Sequence, residues 1–357
     1  MKVVLDTLLR EINEKTTEND QYPVLTSSKA GIFLQSDYFN KQVASRDNTG
    51  YKVIRRGQFT YRAMSDTGEF FPNMLDCTDI GIVSPAYPVF EISKPDVIIP
   101  EFLKLYFKSD VFQHSIASFA QGSTRTSIKF VKLKTVTINL PSVERQAQII
   151  RILDKVSKLI QDRTQEIQKL DDLIKARFVE MFGDCAEVVP AGVIMSEMRN
   201  GVSPSTSGKS PEKVLTLSAI TQGRFDPSMW KEGLFDNPPP VEKRIHATDF
   251  YMCRGNGNKS LVGAGVYSKE DREDLVFPDT VIAARVDITR VCLPYLFIAW
   301  MQPCVRDQIE AGARTTNGTY KINQQIISKI NVPLPPLNAQ EQFAAFFAKI
   351  DKSKFFD

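Results

Sequence analysis

The chain has 357 residues, 24% of them charged and 42% hydrophobic, and 45 Lys and Arg against 42 Asp and Glu leave a net charge of +3. That profile excludes a fibrous or disordered chain and leaves room for two domains with their own cores. No run of about 18 apolar residues exists to span a bilayer, and so mild a charge permits nucleic-acid binding only through local clustering. Acidic residues come too early in MKVVLDTLLREINEK for a secretion signal, so cytoplasmic residence is expected. Cys77, Cys185, Cys253, Cys292 and Cys304 never take CxxC spacing and read as reduced thiols, not as disulfides or metal ligands.

In residues 3–15, Val4, Leu5, Leu8, Leu9 and Ile12 fall at helical intervals, which predicts an amphipathic helix in an N-terminal segment, 1–19. Residues 20–141 change character: YPVL, YKVI, FTYR, DIGIVS, YPVFEI and TVTINL alternate with breaks such as RDNTG and SDTGE, the pattern of strands and turns. One helical stretch, EFLKLYFKSDVFQHSIASF, follows Pro100. Segment 142–183 is different again. It has no Gly or Pro from Val143 to Met181, and Ile149, Leu153, Val156, Ile160, Ile167, Leu170, Ile174, Phe178 and Met181 form an apolar seam. Ser142 caps its start and Gly183 ends it, giving a rod of about 60 Å at ~1.5 Å per residue. Arg163 interrupts the seam and predicts looser packing there.

Strand patterns return in 184–336 with KVLTLSAI, DFYMC, LVGAGVY and TVIAARV, and PYLFIAWMQPCVRDQIEAG, beginning at Pro294, supplies the helix. A short helix occupies 337–357. The expected fold class is α+β: two tandem α+β domains separated by a long helix that forms an antiparallel coiled coil with the C-terminal helix. The seam from Ile160 onward outruns that shorter helix, so the N-terminal helix, a partner subunit or a second copy would have to cover it.

The two domains are related. At a single offset of 194 residues Ile128 falls on Ile322, Leu140-Pro141 on Leu334-Pro335, Gln146 on Gln340, Gln148 on Gln342 and Lys155 on Lys349. Repeats of 20 to 50 residues build solenoids; a period this long means duplication of a whole domain with its connector.

Catalytic constellations are scarce. Two histidines, His114 and His246, allow no His-rich metal centre or HExxH, and no P-loop is present. Asn237-Pro238-Pro239-Pro240 resembles the Asn-Pro-Pro-aromatic element of amino-methyltransferases but lacks the aromatic, so it reads as a loop. Asp171-Asp172 and Glu270-Asp271 read as solvated faces.

Three clusters match polyanion contacts. Arg254-Gly255-Asn256-Gly257-Asn258-Lys259 follows the strand DFYMC, and it is either an ordinary glycine hairpin or a loop whose amides, Arg and Asn meet phosphates and base edges. In the first half Arg55, Arg56, Tyr61 and Arg62 lie on a comparable strand, with Arg62 expected to match Arg254. Each half then closes with a Gly/Thr/Arg loop. Thr124, Arg125, Thr126 and Lys129 are the candidates in one, and Arg314, Thr316, Asn317, Tyr320 and Lys321 in the other. Hydroxyls, amides and cations in one loop suit a phosphodiester backbone.

Closing loop, Ile-Lys or Lys-Ile strand, Leu-Pro turn and Gln-rich helix start (ERQAQII and AQEQF), all twice over, together with the long helix ending in KARFVEMFGD, resemble the specificity subunit of Type I restriction–modification systems. The resemblance covers essentially the whole chain. It implies two target recognition domains, each reading one half of a split site in double-stranded DNA and held at a fixed separation by helical rods. It also implies docking of two methyltransferase subunits and a restriction/translocase subunit. The chain itself would be a non-catalytic subunit with no cofactor of its own; S-adenosylmethionine would sit on the methyltransferase. The departure is the short C-terminal helix, where the family has a match for the first rod. The competing expectation is a protein-interaction adaptor with two modules on a coiled-coil spacer and no nucleic acid.

Overall fold

Runs of alternating or fully apolar residues make the strands of both halves, and the two halves assemble them in one order. The computed structural model describes residues 1–38, 47–119, 126–185, 187–316 and 318–355. The chain divides into two compact units, Met1–Asp162 and Arg163–Asp357, with the boundary inside one helix, Val143–Phe182.

In the first unit a four-stranded antiparallel sheet runs Leu9–Ile12, Val89–Ile92, Phe59–Thr60, Asn73–Met74. In the second the order is Met195–Asn200, Val281–Val286, Asp249–Cys253, Gly265–Tyr267. Each time the first strand pairs with the last and the last with the second. Each unit also pairs its opening strand with the one before the Leu-Pro turn: Lys2–Val4 with Thr137–Asn139, and Val188–Pro190 with Asn331–Pro333. The repeat is one of topology.

The sheets are buried by the paired helices beside them. Phe59 lies against Phe90 and Phe107, and Phe250 meets Trp300 edge-on at 5.6 Å. Asp249–Cys253 is buried at every position, as a central strand covered on both faces must be. Gly265 is required opposite it, because a Cβ there would fall 2.3 Å from the Phe250 ring. The helical stretches expected after Pro100 and at Pro294 are each two helices, Pro100–Phe107 with Asp110–Ala117, and Leu293–Trp300 with Pro303–Gly312. Ser109 caps one second helix by accepting from the Phe112 amide, and Pro303 starts the other at a position that needs no N–H donor.

The expected N-terminal helix over 3–15 does not form. Lys2–Val4 and Leu9–Ile12 are strands flanking a single 3-10 turn, Leu5–Thr7. Helical spacing of the leucines is satisfied differently: Leu5, Leu8 and Leu9 are all buried in the first core, and ladders to Thr137–Asn139 and Val89–Ile92 take the backbone groups that a helix would have used.

One buried glutamine per unit ties the duplicated pieces together. Gln146 accepts from the Ile99 amide at 2.9 Å and donates to the carbonyls of Val97 and Pro141 at 2.9 and 3.0 Å. Gln340 accepts from the Cys292 amide at 2.9 Å and donates to the carbonyls of Arg290 and Pro335 at 3.0 and 2.7 Å. Each staples the start of its helix to the loop leading into the earlier helix pair, so this repeated residue of the Gln-rich start is structural.

The helix Val143–Phe182 runs unbroken to Gly183, whose amide bonds to the Val179 carbonyl at 2.7 Å. Ile149 packs on the first core, and Ile174, Phe178 and Phe182 are buried in the second. Leu153 and Val156 are exposed. Within the second unit Phe178 and Phe182 meet Phe343 of the helix Leu337–Phe355 at 5.5 and 5.6 Å, and Arg163 donates to the Ser353 carbonyl at 3.2 Å. These contacts run antiparallel. An aromatic cluster and a hydrogen bond make them, while Ile167 between them is exposed. Around Arg163 the seam residues Ile160 and Ile167 are exposed, and the guanidinium bridges the two helices there.

Cys253 is buried, whereas Cys77 and Cys304 are exposed. Burial pushes the Cys253 thiol up to about 11, which leaves a thiolate fraction of about a thousandth at pH 8. In the folded protein at pH 8, a maleimide is expected to label Cys77 and Cys304 and to spare Cys253. Peptide mass spectrometry reads this directly, and fast labelling of Cys253 would contradict the buried central strand.

Candidate nucleic-acid interface

In both units the second sheet strand runs on past the sheet and pairs with a part of the closing loop. In the first unit Met64–Ser65 pairs with Thr126–Ser127, and the Ile128 amide bonds to the Ala63 carbonyl at 2.9 Å. In the second, Gly255–Asn256 pairs with Thr319–Lys321, which also pairs with Arg314–Thr316, and the Ile322 amide bonds to the Arg254 carbonyl at 2.9 Å. Clusters far apart in sequence are thereby brought to one edge in each unit.

The same bonds correct a register. Ile128 matches Ile322, so the partner of Arg254 in the first unit is Ala63, and Arg62 corresponds to Cys253. Matching by charge put the pair one residue out, and one residue turns a strand side chain to the opposite face. Arg62 is half-exposed, 3.7 Å from Asp66, and lines a groove of about 780 Å³ with Lys29, Tyr51, Ser65 and Tyr87. Arg254 is half-buried and donates to the Asp279 carbonyl at 3.2 Å.

The remaining candidates sort by what they touch. Tyr61 is not a surface contact. It is fully buried, donates to the Ile128 carbonyl at 3.0 Å, and burial raises its pKa. Its hydroxyl, expected to contact DNA, anchors the closing strand instead. Arg55 pairs with Glu14 at 2.9 Å and Arg56 with Asp79 at 2.7 Å, so both have acidic partners within the protein. Thr126 donates to the Ser65 carbonyl at 3.1 Å, and Lys129 is exposed at the cap of the short helix Phe130–Leu133. Thr124 and Arg125 lie outside the described residues.

In the second unit Asn256 accepts from the Asn258 amide at 2.8 Å, and Asn258 accepts from the Ser260 amide and hydroxyl at 3.1 and 2.9 Å. These side chains shape the glycine loop, which Arg306 supports through the Ser260 carbonyl at 2.9 Å. Tyr320 is half-buried and packs on the core. Lys259, Arg314 and Lys321 are exposed. Thr316 is described through its backbone alone, and Asn317 lies outside the described residues. Asn237 and the three prolines after it form an irregular loop behind the strand Trp230–Phe235, as expected.

Sequence reasoning missed the groove residues Lys29, Tyr51 and Tyr87, which come from turns and hairpins with no motif of their own. It also missed a buried charge cluster. Asp249, fully buried, accepts from Arg285 at 2.6 Å and from Arg199, and the Tyr251 hydroxyl is 3.4 Å away. A lone acid opening the apolar run DFYMC was its visible signal. Among the described residues no three His, Cys, Asp or Glu side chains gather to hold a metal, and no helix is long and apolar enough to cross a membrane.

The sequence profile described as the Type I restriction modification DNA specificity domain matches residues 11–170 and 300–355, more than half of the chain. The Type I restriction enzyme HindI specificity subunit of Haemophilus influenzae is 23% identical over 215 residues, which are 57% of this chain and 47% of that protein. The StySPI specificity subunit of Salmonella potsdam is 22% identical over 284 residues, 71% of this chain and 60% of that protein. The chain thus spans about half to three fifths of the length of these relatives. Among solved structures, the S subunit of the Type I restriction-modification system from M. genitalium superposes with a TM-score of 0.56 at 14% identity, covering 99% of this chain and 90% of that one. A chain from work on complex assembly and conformational transition of the type I R-M system gives the same score and coverage at 15% identity. At those identities the likeness is one of fold.

Proposed function

The chain belongs to the family of Type I restriction modification DNA specificity domains, and from that premise we propose that it is a non-catalytic, sequence-reading subunit of a cytoplasmic Type I system. Each unit reads one half of a split site in double-stranded DNA. The observation that carries this reading is one edge built twice: a strand leaving the sheet and paired with a hydroxyl-bearing segment, Thr126–Ser127 in one unit and Thr319–Lys321 in the other. Two related reading heads suit the two strands of a duplex, which present related orientations of one surface. Sequence would be read by few side chains, while cations on phosphates supply affinity without choosing bases.

Two methyltransferase subunits, carrying S-adenosylmethionine, would dock on the helices, and a restriction/translocase subunit would join them. Support comes from Ile152, Leu153, Val156 and Leu159, large apolar side chains exposed along one helix, a composition typical of a surface awaiting a partner.

The test is selection of duplexes from a random pool by the full chain with its methyltransferase partner. Enriched sequences are expected to carry two separated blocks, with binding that weakens steeply as salt rises. Arg62→Ala is expected to relax the choice of bases in one block and leave the other intact. Enrichment of no common sequence, together with binding indifferent to salt, would leave the protein-adaptor reading in its place.

A further inference from the structure

The three-stranded ribbon of the second unit has two faces of different chemistry. Residues directly opposite one another in antiparallel strands share a face. Asn256, Tyr320 and Thr315 are therefore on one side, and Gly255, Lys321 and Arg314 on the other. On the first face Tyr320 packs on the core and Asn256 holds its loop, while Thr315 at the outer strand is exposed. The second carries two exposed cations directly across from each other.

That arrangement works against the isolated fold, since like charges in directly opposed positions destabilise a strand pair. Among the described residues neither Arg314 nor Lys321 has an acidic partner, in contrast to Arg55, Arg56 and Arg272. The third position of the row is a glycine whose added Cβ would lie 3.3 Å from the Lys321 Cγ, so the lysine stem lies over a floor without a side chain. In the first unit the described positions of the equivalent row are Met64 and, opposite it, Ser127, neither of them charged.

We propose that Arg314 and Lys321 form a phosphate clamp over Gly255, gripping the DNA backbone independently of sequence. The proposal rests on the DNA-reading function above. It removes Tyr320 and Asn256 from the base-reading set.

The experiment measures anisotropy of a labelled random-sequence duplex against KCl concentration, using the full chain and its Lys321→Gln, Arg314→Gln and doubly substituted variants, with Gly255→Ala as a fourth. Each cation removed is expected to reduce the slope of log affinity against log salt by about 0.9. Gly255→Ala is expected to give part of the Lys321→Gln effect with every charge retained. Melting temperature of the free chain is expected to hold or rise in the charge variants, where a structural cation would lower it. Unchanged slopes in the variants, beside a steep slope in the unsubstituted chain, would overturn the clamp and leave the DNA-reading function standing. A flat slope in the unsubstituted chain would overturn both.

Discussion

Gln340→Ala is expected to destabilise the second unit by about 3 kcal/mol and leave the first unaffected. The side chain is fully buried and makes three hydrogen bonds to main-chain groups. Truncation leaves the Cys292 amide and the carbonyls of Arg290 and Pro335 short of a partner, and each buried polar group left unsatisfied costs about 1–3 kcal/mol. Water entering the vacated space offsets much of the sum over the three groups, which sets the figure at its lower end. Gln340→Leu fills the space without restoring a bond, so it is expected to cost as much as alanine. Gln146→Ala is the mirror experiment in the first unit. Native-state hydrogen exchange separates the two, with amides of Asp249–Cys253 reporting on one unit and those of Val89–Ile92 on the other. A loss spread evenly over both strands, or a leucine variant as stable as the parent, would show that the glutamines are not local staples.

These glutamines illustrate how much is legible in the sequence. Their recurrence at one offset was plain, and so were the Leu-Pro turns, the uninterrupted helix and strands such as Asp249–Cys253. The duplicated α+β plan and the family follow from order and repetition, which composition and spacing carry well. Side-chain duty was harder to read, because burial decides it and burial depends on partners distant in sequence. Tyr61 has the hydroxyl and ring of a nucleic-acid contact, but its neighbour in space is Ile128. Leu5, Leu8 and Leu9 have the spacing of a helix, yet ladders with residues some eighty and more than a hundred positions away override local propensity. Arg62 and Arg254 resemble each other in type and context, and only the bond to Ile128 or Ile322 shows which residue occupies which register position. Such errors arise where a period of two must be counted without slipping by one.

The largest single effect is expected at Asp249. Its carboxylate is inaccessible to solvent and lies between Arg199 and Arg285, with Tyr251 close by. Removing one partner of a buried ion pair strands the others and costs about 3–5 kcal/mol. Asp249→Ala should fall in that range, as measured by urea unfolding, because Arg199 is itself mostly buried and stacks on the Phe277 ring at 5.7 Å. Arg285 is more exposed and can turn to water, so Arg285→Met is expected to cost less than Arg199→Met. The double variant Asp249→Ala with Arg199→Met should recover part of the loss, since an unpaired buried cation is then gone. Additive costs in that cycle would mean that Asp249 and Arg199 act independently. The functional consequence follows from position along the chain. Asp249 opens the strand that ends at Cys253, and Arg254 and the cationic ribbon begin immediately after it. Loosening the buried end should weaken duplex binding without altering its salt slope, because no phosphate contact is lost. Arg314→Gln should do the opposite, lowering the slope while stability holds.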